Sequence, residues 1–220
     1  MIDPRADVEA LIQAAGQGTR MGLGPKAFVH LGGTTLLERA VAAMAAAAAR
    51  VIVAVPSKDV ARAQRLVDAA SVTVIAGKSG RTGTLRELVR CATGHWLILH
   101  DVVHPFVTAE LTCRVLREAR RTGAAAAVLP NVDYWYGRDG VLRGAPRELV
   151  AIQKPIAFTR ATIQRGFEIA QKVGLTRDAS VLEILYLAEQ AVTFVAGHSR
   201  NFKLTTADDI ALAECLASRG

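Results

Sequence analysis

The first residues able to do chemistry lie early in the chain. The segment AAGQGTRMGLGPK, residues 14–26, follows an apolar run and combines four glycines with the cations Arg20 and Lys26. Glycines let backbone N–H groups approach a ligand with no Cβ in the way. Consecutive amides then form a concave nest that holds anions. With two full positive charges beside it, such a nest suits a polyphosphate. The competing reading is a plain surface turn. Two familiar phosphate loops are excluded. A P-loop needs Ser or Thr directly after Gly-Lys, whereas Lys26 sits in GPKAF. A dinucleotide fingerprint needs a third glycine where Met21 stands.

The surrounding pattern shows what must hold this loop. VEALIQ (8–13) reads as a strand, and TTLLERAVAAMAAAAA (34–49) as a helix capped by Thr34 or Thr35. RVIVAVP (50–56) is a buried strand ended by proline, and SKDVARAQRLVDAA (57–70) a capped amphipathic helix. SVTVIAG (71–77), HWLILHD (95–101) and AAAAVLP (124–130) are strands. LRELVRCA (85–92) and TAELTCRVLREARRTG (108–123) are helices between them. The pattern breaks at NVDYWYGRDGVLRGA (131–145), where RDG marks a turn between two short strand-like pieces. Helices resume near Thr159–Val173 and Asp178–Gln190. AVTFVAG (191–197) is a strand, and TTADDIALAECLA (205–217) a last capped helix.

Strands alternating with helices of this length predict parallel βαβ units with right-handed crossovers. Apolar runs without alternation fit strands buried on both faces. The expected fold class is α/β: a single Rossmann-like, mostly parallel sheet flanked by helices, with a projecting β-arm. One domain then spans residues 1–220, with the arm at about 131–148. The glycine-rich loop falls at the carboxyl edge of that sheet, where open α/β sheets bind ligands. Asp101 ends its strand at the same edge.

Composition narrows the class. The 220 residues are 51% hydrophobic and 21% charged, enough to bury a core and against a disordered chain. The net charge of +7 suits an anionic partner such as a phosphorylated metabolite. The densest basic run, RVLREARR (114–121), has helical spacing and reads as a solvated face, so no nucleic acid partner is expected. Cys91, Cys113 and Cys215 are far apart, and His30, His95, His100, His104 and His198 are not at zinc spacing. Buried thiols in a reducing cytoplasm are expected. No 18-residue apolar window and no signal peptide are visible, so neither a membrane partner nor export is expected.

AAGQGTRMGLGPKAF resembles the A-A-G-x-G-x-R-M-G-…-P-K signature of nucleotidyltransferases, and more narrowly that of the 2-C-methyl-D-erythritol 4-phosphate cytidylyltransferase family. Five further segments are similar, in the same order. AGKSGRTGTL resembles the family's G-G-x-x-R-x-x-S-V, LHDVVHPFV its V-H-D-A-A-R-P, and AIQKPIAF its Q-T-P-Q-x-F. TRDASVLE resembles T-D-D-A-S-x-x-E, and NFKLTTADDIALAE resembles N-x-K-I-T-x-x-E-D-L. The resemblance implies an enzyme in which a polyol-phosphate oxygen attacks the α-phosphorus of CTP and releases pyrophosphate, in isoprenoid precursor biosynthesis. It implies that Arg20, Lys26 and Lys203 are the catalytic cations. Gly16 and Gly18 would offer amides to the triphosphate, while Ala14, Ala15, Gly77, Arg81 and Thr84 would surround the nucleotide. Asp101 would face acceptor hydroxyls, and Arg147 would grip the acceptor phosphate from the arm of a second subunit in a homodimer. Mg²⁺ would be bridged mainly by substrate phosphates, with Asp101 its candidate protein ligand. A phosphate monoester of second pKa about 6 is already largely dianionic at neutral pH, so no Ser-His-Asp set is needed. Local alternatives stand beside these roles: Lys203 as an edge-strand lysine, and Thr82 or Thr84 as a helix cap.

The departures from the family pattern gather on the acceptor side. His104 replaces its arginine, Val102 and Val103 its two small residues, and Lys154 a threonine. Ile156 replaces a glutamine, Tyr134 a threonine and Arg177 an aspartate. His104 and Lys154 thereby join Asp101 and Arg147 as candidate acceptor-binding residues. An imidazole with the ordinary pKa near 6.5 would hold phosphate only when protonated. The nucleotide half is kept and the acceptor half is rebuilt. The acceptor is therefore either methylerythritol phosphate or another polyol phosphate such as ribitol 5-phosphate. The remaining alternative is a non-catalytic relative that binds nucleotide or pairs through Tyr134, Trp135 and Tyr136.

Overall fold

The computed structural model describes residues 3, 5–16, 18, 24–67 and 69–218. The apolar runs form strands: β1 Val8–Gln13, β2 His30–Leu31, β3 Thr34–Thr35, β4 Arg50–Val55, β5 Val72–Ala76, β6 Trp96–Asp101, β7 Ala124–Pro130, β8 Trp135–Tyr136, β9 Leu142–Gly144, β10 Val150–Thr159 and β11 Thr193–Ala196. The helices are α1 Leu36–Ala45, α2 Val60–Leu66, α3 Gly80–Cys91, α4 Ala109–Thr122, α5 Arg160–Lys172, α6 Val181–Leu187 and α7 Ala207–Ala217.

The main sheet runs β11-β7-β10-β6-β1-β4-β5. Every neighbouring pair in it is parallel except the two made by β10, which lies antiparallel to β6 and β7. The expected mostly parallel sheet flanked by helices is what forms. Successive strand residues bury on opposite faces. Leu11, Ile52, Leu97 and Leu99 pack with Leu88 of α3, Phe167 of α5 and Ile184 of α6. Ile12, Val53 and Ile98 pack with Leu37 and Met44 of α1, Val115 of α4 and Ala213 of α7. The sheet therefore has helices on both faces.

Several boundaries differ from the sequence pattern. Strand β10 is absent from that pattern, because Gln153, Lys154 and Pro155 interrupt its apolar run. Proline cannot donate to a ladder. The strand absorbs this with a register break between Ile152 and Ile156 against β7. Helix α1 starts after Thr35, whose hydroxyl accepts from Glu38 N–H in a capping box, and stops at Ala45 rather than Ala49. Helix α3 begins at Gly80, ahead of the predicted LRELVRCA. Helix α6 is limited to Val181–Leu187, with its own Ser180–Glu183 capping box. The arm is a short antiparallel hairpin of β8 and β9, with Trp135 opposite Gly144. Its Val132, Tyr134, Trp135 and Tyr136 are exposed. The three cysteines are free, but Cys113 and Cys215 are exposed and Cys91 is half-buried, against the expected burial, because they fall on the outer faces of their helices. Among the described residues no helix is long and apolar enough to cross a membrane.

Candidate active site

The pairing of β1 with β6 sets Gln13 opposite Asp101, so the two strands end level at the carboxyl edge. A hollow of about 430 Å³ opens there, lined by Ala15, Gly16, Lys26, Lys78 and Thr84 among others. A second hollow of about 200 Å³ adjoins it and adds His104, Ile152, Lys154 and Ile156. Gln13, Arg81, Asp101 and Lys203 line both. The two hollows are thus the ends of one cleft.

The larger end is shaped by glycine. Gly18 has φ +67°, and a Cβ there would run into the Gly24 carbonyl, so only glycine lets the loop close on itself. Lys26 N–H reaches Gly16 O at 3.3 Å across the same loop. Gly16 faces open space. Arg20, a predicted catalytic cation, lies outside the described residues, as do Thr19 and residues 21–23. Lys26 Nζ donates to Leu204 O at 3.1 Å. Lys26 and Lys203, distant in sequence, therefore meet at one hollow. Of the predicted nucleotide residues, Ala15, Gly16, Arg81 and Thr84 line it, whereas Ala14, Gly18 and Gly77 do not. Ala14 is buried, and its N–H donates to Ala54 O. A Cβ on Gly77 would stand 2.7 Å from that of Ala15, so this glycine lets the start of α3 press close to β1.

The wall facing the glycine loop is held by an aspartate that the sequence reading did not single out. Thr84 does not cap α3. Its hydroxyl donates to Lys78 O at 2.9 Å and accepts from Lys78 N–H at 3.2 Å, pinning the loop before the helix. The N-cap residue Ser79 makes no side-chain cap bond. Asp178, from the segment before α6, accepts Thr82 N–H at 2.7 Å, and its other oxygen lies 3.4 Å from Arg81 Nε. Thr82 also donates to Ala179 O and accepts from Ala179 N–H. Burial alone raises the Asp178 carboxyl, but the Thr82 and Arg81 donors outweigh it and hold it near 2. Gln13 Nε2 donates to Arg81 O at 2.8 Å, completing the brace. Arg177, the departure next to Asp178, turns to an exposed pair with Glu183.

The smaller end is charged within an apolar frame. Lys154 Nζ stands 3.7 Å from Asp101 Oδ1, with only 12% and 16% of the two side chains exposed. Burial raises the Asp101 carboxyl, but Lys154, His104 and Lys203 together bring it below the usual carboxylate range. Burial lowers the Lys154 ammonium, Asp101 opposes this, and Lys203 and Arg81 add to it. His104 is buried, and its Nδ1 lies 3.1 Å from Asn201 O. A carbonyl only accepts, so Nδ1 carries the proton. Burial holds the ring below the ordinary imidazole value. His104 is therefore neutral near pH 7 and offers Nε2 as an acceptor. This corrects the expectation of a pH-gated cation for phosphate. Behind it, His100 is fully buried and lowered to about 3, chiefly by burial.

Buried amides fix these walls. Gln153 Nε2 donates to His198 O and Asn201 O, each at 3.0 Å. Asn201 Nδ2 donates to Lys154 O at 2.6 Å, and Leu204 N–H to Val103 O at 2.9 Å. The segment carrying Lys203 is thus tied to β10 and to the end of β6. Sequence reasoning did not name Gln13, Lys78, Gln153, Asp178 or Asn201. The available signal was polar residues placed where strands end. Arg147 is exposed at the base of the arm, with φ +71°, and lines neither hollow of its own chain. Among the described residues no group of three or more His, Cys, Asp and Glu is placed to hold a metal ion. Lys26, Lys78, Lys154, Lys203 and Arg81 around Asp101 and Asp178 can neutralise a bound polyanion and orient a second, smaller anion beside it.

The family model described as 2-C-methyl-D-erythritol 4-phosphate cytidylyltransferase, IspD, matches residues 8–219. The chain is 38% identical over 212 residues to the protein of that name from Deinococcus radiodurans, covering 94% of this chain and 88% of that one. It is 38% identical over 229 residues to the one from Rhodococcus opacus, covering 100% and 99%. The solved structure of the Thermus thermophilus protein superposes with a TM-score of 0.79 at 33% identity, covering 96% of this chain and 99% of that chain.

Proposed function

The chain belongs to the 2-C-methyl-D-erythritol 4-phosphate cytidylyltransferase family, and on that premise we propose that it transfers CMP from CTP to 2-C-methyl-D-erythritol 4-phosphate. A phosphate oxygen of the acceptor forms a bond to the α-phosphorus, the bond from that phosphorus to the bridging oxygen breaks, and pyrophosphate leaves. The observation that carries the assignment is the meeting of Lys26 and Lys203 at one hollow beside Asp101.

The nucleophile is already anionic, so the protein has to align the two substrates and neutralise charge. The triphosphate lies along Gly16 between Lys26 and Lys203, with Arg20 a third cation. The cytidine end rests against Ala15, Arg81 and Thr84, with Ala14, Gly18 and Gly77 shaping the loops behind. The acceptor occupies the smaller hollow beside Asp101, His104 and Lys154. Donors fixed before the reaction do not reorganise as charge moves, and losing one typically costs about 2.7–4 kcal/mol of barrier. Mg²⁺ fits a site with one carboxylate in the shared cleft if it arrives on the triphosphate, since it favours phosphates plus one or two carboxylates. Bound there, it would neutralise phosphate oxygens, with Asp101 the protein group nearest to serve it.

The whole chain acts as one domain, and the arm at about 131–148 pairs two copies into a homodimer. The exposed Tyr134, Trp135 and Tyr136 support this, because aromatics of this kind form interface cores. Arg147 would then serve the partner copy's acceptor. The site of action is the cytoplasm.

The test is pyrophosphate release from CTP with a panel of polyol phosphates. Turnover with methylerythritol phosphate upholds the reading. The altered acceptor wall at Lys154 and His104 favours one second reading, the same chemistry on another polyol phosphate such as ribitol 5-phosphate. Turnover only with that acceptor would select it. CTP binding without turnover across the panel would make the protein a nucleotide-binding relative that has lost catalysis.

A further inference from the structure

The Lys154–Asp101 pair is unusual for a resting ion pair. At 3.7 Å it is longer than a charged hydrogen bond. Asp101 Oδ1 is buried and has no hydrogen-bond partner among the described residues. Leaving a buried acceptor unpaired is costly. The pair also sits in a hollow whose other walls include Leu99, Ile152 and Ile156, where charges are weakly screened.

We propose that Lys154 is a specificity-determining residue for the acceptor. On binding, its ammonium exchanges Asp101 for the acceptor phosphate, and the released carboxylate accepts a hydrogen bond from an acceptor hydroxyl. The inference deepens the cytidylyltransferase reading and rests on it. The main chain of Lys154 is held by Asn201 Nδ2 and lies at the register break of β10, so the exchange is a movement of the side chain alone. The acceptor's anion is thereby gripped from within the same chain, in addition to any group brought by a partner's arm. An acceptor whose phosphate and hydroxyl both fit is selected, because each charge of the pair is offered a better partner than it has.

The charged and titratable groups facing Lys154 are Asp101, His100 and His104 from β6 and the turn after it, Arg81 from α3, and Lys203 from the segment after β11. Both histidines are lowered and neutral near pH 7.

The experiment measures acceptor KM, kcat and CTP Kd at neutral pH for the wild type, Lys154→Met, Lys154→Thr and Lys154→Arg. With Lys154→Met, acceptor KM rises at least about tenfold while CTP Kd stays within about twofold; Lys154→Arg recovers part of the loss. An unchanged acceptor KM in Lys154→Met, or an equal loss of CTP affinity, overturns the inference. If Lys154→Met does not fold, as read by thermal melting, Lys154→Thr takes its place, and an acceptor KM unchanged in that variant overturns the inference. A wild-type chain that turns over no polyol phosphate overturns the cytidylyltransferase reading and this inference with it. Wild-type turnover with an indifferent Lys154 overturns this inference alone.

Discussion

The ammonium of Lys26 donates to the carbonyl of Leu204 at 3.1 Å, which couples the glycine-rich loop to the residue that follows Lys203. Two cations from opposite ends of the chain are thereby held to one hollow. Lys26→Ala removes both a charge for the triphosphate and this tether. We expect kcat/KM to fall by about 10²–10³, the size of losing one preorganised donor, with the fold retained by circular dichroism. Activity within about twofold of wild type would remove Lys26 from the mechanism.

Asp178 is expected to act on nucleotide binding through α3, whose first turn it holds. Asp178→Ala leaves Thr82 N–H without its carboxylate and releases Arg81. Loss of such a cap costs about 0.5–2 kcal/mol of stability, and the loosened wall raises KM for CTP more than KM for the acceptor. The folded carboxyl lies near 2, below the ordinary aspartate value of 3.8. Its stabilising effect is therefore present above about pH 4 and is lost as pH falls through about 2. Equal effects on both KM values would argue against a local role.

Glu9 offers a contrast at the opposite end of β1. Its buried carboxylate accepts from Thr93 N–H, Thr93 Oγ1, Gly94 N–H and an Arg50 guanidinium nitrogen, at 2.7–3.1 Å. Burial raises this group, and those donors more than offset it, so it sits below the usual glutamate value. The depressed value makes its stabilisation present above about pH 4.5 and lost in acid. Glu9→Gln should lower Tm by weakening charged hydrogen bonds worth about 1.5–3 kcal/mol each, with both KM values unchanged. Chemical denaturation at two pH values checks the sign: the stability difference between wild type and variant shrinks at the lower pH.

His104 should leave no mark on the pH profile near neutrality. Its ring is lowered by burial and its Nδ1–H is spent on Asn201. Acceptor KM should therefore carry no histidine inflection between about pH 6.5 and 8, so that wild type and His104→Asn share the limb set by the acceptor phosphate, whose second pKa is about 6. A KM that climbs through that window in the wild type, and is flat in His104→Asn, would contradict a neutral ring.

The arm predicts an assembly. Trp135→Ala combined with Tyr136→Ala removes two exposed aromatics from β8, and interface aromatics of this kind often contribute about 2 kcal/mol or more each. Light scattering after size exclusion should report a dimer for the wild type and a concentration-dependent shift to monomer for the double variant. A wild type that is monomeric throughout would end the proposal of exchange between arms.

The sequence made some of this legible and hid the rest for physical reasons. Buried parallel strands announce themselves as unbroken apolar runs, so β1, β4 and β6 are readable from VEALIQ, RVIVAVP and HWLILHD. The glycine spacing exposes the loop because only glycine tolerates the contact at Gly18. Strand β10 is hidden because Pro155 and Lys154 look like loop residues unless the register break is known. The brace of Asp178 on Thr82 joins residues 96 positions apart, and no local pattern encodes it. The roles of Gln153 and Asn201 are likewise products of tertiary packing: each is an ordinary polar residue until the fold buries it against a main-chain carbonyl.

Strand β10 runs against its neighbours, so it presents its middle, rather than its tip, to the mouth of the cleft. A residue there is tethered from two directions, unlike one on a loop. The glycine cradle is closed by Lys26, to Gly16 O and Leu204 O, while β10 is tied through Lys154 O rather than through its side chain. The fold thus separates two design problems, leaving the donor's seat constant while the guest beside it is free to change over evolutionary time.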